Sequence, residues 1–426
     1  VQLVGQRAAE LGLPAALVQM KEDPSPRLQS AVAGVLLITS AALAALLLII
    51  GFVVAPTFGS ARTLEVVAVS CAAIPFYASR AIPMVLMERE LRFGRVAIVE
   101  TADTLAFNGF ALAGAFAGLG AFSLAGAVPI GGLAGAITAW AVQPFARRPS
   151  LDLDPVRPLA GFGLRVSALQ GVYLLRELGF VGLLAALGGA PLAGFYAMAK
   201  RLFSFPIALT SAVGRVAFPT LSRDPEQRPA RAARIMALTA VAAGLPLALV
   251  AGAVQPLIGV LLGSEWLPTA DIVLLGSVGM MLTASALSTM VSVALSEGRP
   301  NAAIVAAVIE ATILCAIAIA LTHSLHETGV GIAIAVSNIV ATIFLAFNTH
   351  PRIRGALLAV VKATLIAAAA ALAAQALDLS NDVGGLIIAL ATVSVVWLGL
   401  GAIFSRSELR EALEFARPLL RRARSG

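Results

Sequence analysis

The chain has 426 residues, of which 59% are hydrophobic and 12% charged, and its mean hydropathy is +0.93. That balance excludes a water-soluble globular protein of this length and requires a polytopic membrane protein. The net charge of +7 reads as basic loops and a basic tail facing an anionic leaflet, not as a nucleic-acid footprint.

Residues 1–19 carry an apolar pattern broken by Arg7 and Glu10, which predicts a span with its polar face turned inward. Twelve full spans are expected after it, each near the roughly 20 residues a helix needs to cross a bilayer. They fall near 31–55, 63–87, 96–119, 121–145, 158–187, 190–221, 233–262, 268–296, 300–322, 328–349, 355–377 and 383–404. β-barrel alternation is absent from the sequence, and alanine-rich runs such as AAAAALAAQAL (367–377) favour helix, so the predicted class is an all-α membrane bundle.

Basic residues fall in alternate connections: Lys21 and Arg27, Arg89 to Arg95, Arg147 to Arg157, Arg223 to Arg234, Arg299, and Arg352 with Arg354. The intervening connections hold only Arg62 as a cation. The positive-inside rule then puts the basic loops and the C-terminus in the cytoplasm and residue 1 on the outer face. With no initiator Met or basic leader, this predicts a further span ahead of residue 1. The connection ARRPSLDLDPVRP (146–158) reads as a linker. It divides the chain into an N-terminal lobe, 1–147, lacking its first helix, and a C-terminal lobe, 148–352. Two additional helices occupy 353–405, and the tail 406–426 has the spacing of an amphipathic basic helix on the cytoplasmic surface.

Charges inside hydrocarbon are costly and usually face a bundle interior or a water-filled path. Leaving aside Arg234, which opens its span and is counted with its loop, eight Lys or Arg residues fall within the predicted spans, and five lie on the 158–221 hairpin: Arg165, Arg176, Lys200, Arg201 and Arg215. Arg7, Arg80 and Lys362 are the others. A turn near 188–189 sets Arg176 and Glu177 level with Lys200 and Arg201, about 18 Å from the turn and near mid-membrane. Arg165 and Arg215 share a level nearer the cytoplasm. Guanidinium groups suit a diphosphate because paired N–H donors reach two oxygens at once, and Tyr173 or Tyr196 can lie against a sugar ring.

Bland readings stand beside this one. Neighbours on a helix point about 100° apart, so Lys200 or Arg201 can instead pair with Glu177; Arg165 and Arg215 can snorkel to the interface; Arg7 and Glu10 can form an i,i+3 pair. Arg80, Glu100, Asp103, Asp271, Glu310 and Lys362 can couple ions or hold helices together, structural pairing being the favoured reading, and Gly131 with Gly135 form a GxxxG suited to close helix packing. Pro206 and Pro219 are expected to kink or end their helix. Cys71 and Cys315 lie in apolar spans, the three histidines lack zinc-site spacing, and no nucleotide loop or hydrolase motif is present, so neither metal nor cofactor is expected.

The stretches GLPAALVQ (12–19), PMVLMERELRFGRVAIVE (83–100), LGGAPLAGFYAMAKRLFSFPIAL (187–209), FPTLSR (218–223) and LLGSEWLPTADIVLLGS (261–277) resemble the polysaccharide-transporter branch of the MOP exporter superfamily, the Wzx-type oligosaccharide flippases. The resemblance covers nearly the whole chain in order. It implies two six-helix lobes, often with two extra helices, and a cavity lined by the first two helices of each lobe. It also implies a non-enzymatic flippase of the bacterial inner membrane that carries polyprenyl-diphosphate-linked oligosaccharide by alternating access. Membrane lipids would be its surroundings, and a polysaccharide polymerase and export machinery its partners. On this reading Arg7, Arg165, Tyr173, Arg176, Lys200, Arg201 and Arg215 bind substrate, while Glu10 and Glu177 serve as charge partners or in ion coupling. The competing readings are a MATE-like drug or cation exporter, disfavoured because Glu177 is the only carboxylate on the 158–221 hairpin, and a membrane-embedded sugar polymerase or glycosyltransferase, disfavoured by the short outer loops.

Overall fold

The computed structural model describes residues 13–20, 22–54, 62–145, 148–223 and 226–405. Arg7, Glu10 and the 406–426 tail lie outside them. Among the described residues every regular element is helical, and ten helical stretches are long and apolar enough to cross a bilayer. Two of these, Gly163–Ala208 and Pro300–Phe347, run for 46 and 48 residues. At 1.5 Å per residue each is about 70 Å, twice a membrane core. Each contains one non-helical residue, Gly189 (φ 74°) and His326 (φ 48°). Chain folds back at both: Phe180 meets Tyr196 edge-on at 5.0 Å, and a Cβ on Gly329 would stand 2.9 Å from the Leu321 carbonyl carbon. The ten stretches therefore supply the twelve crossings that hydropathy predicts.

The chain divides into two compact units, Val1–Leu174 and Leu175–Gly426. The first contains α1 (Leu13–Gln19), α2 (Pro26–Val54), α3 (Arg62–Cys71), α4 (Ile74–Arg89), α5 (Phe93–Phe116), α6 (Ala121–Val142) and the start of α7 (Arg157–Arg223). The span predicted over 63–87 is two helices, α3 and α4. The chain turns at Ala72 and Ala73, and Pro75 sits in the first turn of α4, where its missing N–H costs nothing. Leu17, Leu36, Ile82 and Val85 pack into one core. Arg89 fastens α1 to α4, its Nη1 donating to the carbonyls of Leu17 (2.6 Å) and Met20 (2.8 Å) at the end of α1, where no intrahelical donors remain.

The second unit continues α7 and adds α8 (Arg228–Gly252), α9 (Val254–Leu261), α10 (Thr269–Leu282), a π turn (Thr283–Leu287), α11 (Ser288–Ser296), α12 (Pro300–Phe347), α13 (Pro351–Gln375) and α14 (Val383–Phe404). The single span expected over 233–262 divides at Ala253 into α8 and α9. Neither Pro206 nor Pro219 ends its helix: α7 stays helical through both to Arg223, and its one residue with non-helical φ/ψ is Gly189. A large core contains Phe180, Leu184, Met236, Ile258, Ile272 and Val293. A second joins α8, α13 and α14 through Ala248, Ala370, Val393 and Trp397. Phe52, Leu105 and Val395 are exposed, as side chains are whose solvent is hydrocarbon and not water.

Candidate functional site

A hairpin needs a residue that can turn without steric penalty, and glycine meets that need at Gly189, where φ of 74° is open to a residue without Cβ. The two arms of α7 then run antiparallel, so residues equidistant from the turn meet. Glu177 and Lys200, 12 and 11 residues away, form an ion pair. Lys200 thus takes the pairing that the sequence left open between it and Arg201. Its ammonium also lies 6.0 Å from the Tyr196 ring centre, and Tyr196 is buried with its ring edge-on to Phe180.

Arg176 turns the other way and pairs with Glu310 of α12, 134 residues on in sequence. Glu310 is 3% exposed overall, whereas the Arg176 side chain is 25% exposed. Burying a carboxylate is costly unless a hydrogen-bonded cation accompanies it, and Arg176 is that cation. Arg201 is exposed and makes no ion pair among the described residues. The cluster in the second unit therefore contains Arg176, Lys200 and Arg201 against Glu177 and Glu310, one positive charge in excess.

The remaining predicted positions are dispersed. Arg165 is exposed and Tyr173 half-buried, both in the first unit. Arg215 lies within α7. Sequence reasoning placed Glu310 among structural polar groups. Its signal was a lone carboxylate in the middle of an apolar span, and its partner was invisible because that depends on the rotation of α12 about its axis.

A second ion pair lies in the first unit, where Arg80 of α4 donates to Asp103 of α5 at 2.7 Å. Gly131 and Gly135 of α6 wall it in: a Cβ on Gly135 would lie 2.3 Å from Arg80 Nη1, and one on Gly131 2.5 Å from Asp103 Oδ1. The GxxxG is thus a close-approach surface for an ion pair. Arg80 also stacks on Tyr77, 4.6 Å from the ring centre. Outside the spans, Arg27 and the backbone N–H of Asp154 hold the Asp152 carboxyl below the usual carboxylate range. Among the described residues, no three metal-ligating side chains cluster.

An all-helical, many-span fold with paired charges inside its spans resembles those of solved membrane transporters. The lipid II flippase MurJ in an inward closed conformation matches at a TM-score of 0.70 with 14% identity, over 96% of this chain and 90% of that one. The eukaryotic MATE transporter AtDTX14 matches at 0.66 with 17% identity, over 84% and 87%. An outward-facing multidrug resistance MATE family transporter of the MOP superfamily matches at 0.63 with 14% identity, over 83% and 86%. Within that fold, the chain belongs to the family described as "Polysaccharide biosynthesis protein", whose model matches residues 3–271. Among curated proteins, none matches its sequence. The chain is a multi-pass membrane protein of this family, as its motifs imply.

Proposed function

We propose that the protein moves polyprenyl-diphosphate-linked oligosaccharide from the cytoplasmic to the outer leaflet of the bacterial inner membrane. The observation that carries this reading is the cluster of Arg176, Lys200 and Arg201, with two carboxylates and an excess positive charge, on helices that cross the bilayer. Glu177 and Glu310 act as resident anions that keep the site solvated in charge terms while it is empty. A diphosphate displaces them because it offers several oxygens to the guanidinium and ammonium groups at once. Arg201, with no carboxylate of its own, makes the first contact. Arg165 and Arg215 attract the headgroup at the cytoplasmic level, Arg7 binds it from the 1–19 span, and Tyr173 lies against sugar. Glu10 stays with Arg7 as its charge partner.

The lipid tail remains in hydrocarbon while the two lobes, 1–147 and 148–352, rock about the bound headgroup, and the helices of 353–405 flank the second lobe. The basic loops and the 406–426 tail face the cytoplasm, in keeping with the positive-inside rule. The cycle needs no covalent step, and a polymerase and export machinery would take the delivered oligosaccharide.

Transbilayer movement of a fluorescent polyprenyl-diphosphate oligosaccharide in proteoliposomes tests the proposal. The triple variant Arg176→Gln, Lys200→Gln, Arg201→Gln should lose transport with its helical content intact. Equal transport by both chains would sink the anion site. Movement of organic cations in place of the anionic lipid would support the drug-exporter reading, and in vitro sugar transfer the enzyme reading.

A further inference from the structure

One cation inside a span of the second unit belongs to neither ion pair. Lys362 of α13 is half-buried and makes no hydrogen bond or ion pair among the described residues. It stands about 17 Å from the Pro351 end of the helix and about 20 Å from the Gln375 end, so it lies near mid-membrane. The carboxylates in the spans of this unit are committed elsewhere: Glu177 to Lys200, Glu310 to Arg176, and Asp271 to the Thr328 side chain. The neighbouring Thr364 hydroxyl donates to the Val360 carbonyl at 2.8 Å. The structural pairing favoured for Lys362 from the sequence is therefore not made among the described residues.

The surroundings of Lys362 face two ways. Ala367, Ala370 and Ala374 are buried against Ala248 of α8 and Val393 and Trp397 of α14. On the other side Leu358, Val361 and Leu365 are 62%, 47% and 64% exposed. Leu358 and Leu365 lie one turn to either side of Lys362, which sets its ammonium at the edge of the exposed face and not in the packed one. Two turns toward the Pro351 end, on the same face, Gly355 is exposed and has open space where a side chain would stand. Past it Arg352 is exposed and makes no ion pair among the described residues. A cation at the helix end, a gap without a side chain and a second cation at mid-span thus follow one another along α13.

An unpaired ammonium beside hydrocarbon is costly, and such residues mark paths for ions or substrates. It offers three donors and no acceptor. The partner it suits is an anion with several oxygens, and a bilayer supplies those as lipid phosphates. A hydrocarbon core about 30 Å thick keeps resident phosphates about 15 Å from the midplane, so Lys362 meets one that is drawn below that level, and the gap at Gly355 leaves room for it. We infer that Lys362 is a lipid-phosphate site at the membrane-facing edge of α13, sharing no residue with the Arg176, Lys200 and Arg201 cluster and approached past Arg352. A phospholipid headgroup and the diphosphate of a lipid-linked sugar both offer that chemistry.

Photolabelling of the full chain in nanodiscs tests this without measuring flipping, so a failed flippase reading leaves the test intact. One arm uses phosphatidylglycerol with a diazirine on its headgroup, the other a polyprenyl-diphosphate oligosaccharide with a diazirine on its first sugar. Residues 355–365 should be labelled in the wild type. Lys362→Gln should lower that labelling about tenfold, the loss of one charge-assisted contact, and Lys362→Arg should retain it. Labelling by the phospholipid probe assigns a resident lipid, labelling by the sugar probe alone assigns the passenger, and either supports the site. Labels confined to residues 348–352 in both arms, or labelling unchanged in Lys362→Gln, overturn it. Should Lys362→Gln fail to fold, Gly355→Leu decides, because it fills the gap and leaves the charge: reduced labelling supports the site and unchanged labelling overturns it.

Discussion

The two units each place an arginine–carboxylate pair inside their spans, and the pairs differ in what surrounds them. Arg80 and Asp103 have 12% and 13% exposed side chains, an aromatic ring on one side and glycines pressed against both partners. Arg176 and Glu310 are unequal at 25% and 4%, and stand with a second, more open pair, Lys200 and Glu177 at 40% and 20%, and an exposed Arg201. A sealed, charge-balanced pair joins helices. An unsealed cluster with surplus positive charge is what the proposed anion site requires, and that is what separates the transport reading from a structural one.

The largest effect should come from opening the sealed pair. Asp103→Asn leaves a buried guanidinium without its counter-charge, and should cost about 3 kcal/mol in chemical unfolding followed by circular dichroism. Gly135→Leu should act similarly by displacing Arg80, whereas a loss below about 1 kcal/mol in either variant would erase the contrast. Glu310→Gln is expected to move stability and binding in opposite directions. The protein should unfold more readily, yet a soluble diphosphate should bind about tenfold more tightly because a resident anion has gone; weaker binding would make Glu310 a ligand-positioning group instead. Arg201→Gln should leave unfolding within about 0.5 kcal/mol of wild type, as exposed substitutions do, while slowing flipping; normal flipping would remove Arg201 from the site.

The smallest effect concerns a carboxylate outside the spans. Asp382 caps α14 by accepting from the Gly385 N–H at 2.7 Å, and that bond, followed by one to Ser380, holds its carboxyl below the usual range. A depressed folded pKa contributes stability above the unfolded value, and this is lost as pH falls through the folded one. Amide exchange at Gly385 should therefore quicken toward acid pH in the wild type and be fast at every pH in Asp382→Ala.

The helix boundaries show where local sequence suffices. Gly189 and the apolar runs beside it announce a hairpin, and symmetry about the turn brings Glu177 to Lys200. The division of 63–87 was hidden because Cys71 to Ile74 are as apolar as their neighbours, and only Pro75 signals a new helix start. The π turn at Thr283–Leu287, where the Thr283 hydroxyl donates to Asn338 Oδ1 at 2.5 Å, has no periodic signature at all.

Sequence by itself determined the solvent, the helical class, the twelve crossings and the concentration of cations on one hairpin, because hydropathy and run length are properties of consecutive residues. Tertiary structure decided that Arg176 meets Glu310 and that Arg80 meets Asp103 within a glycine wall. Those outcomes depend on how each helix is rotated about its axis and which neighbour it packs against, and packing is set by shape complementarity between segments far apart in the chain.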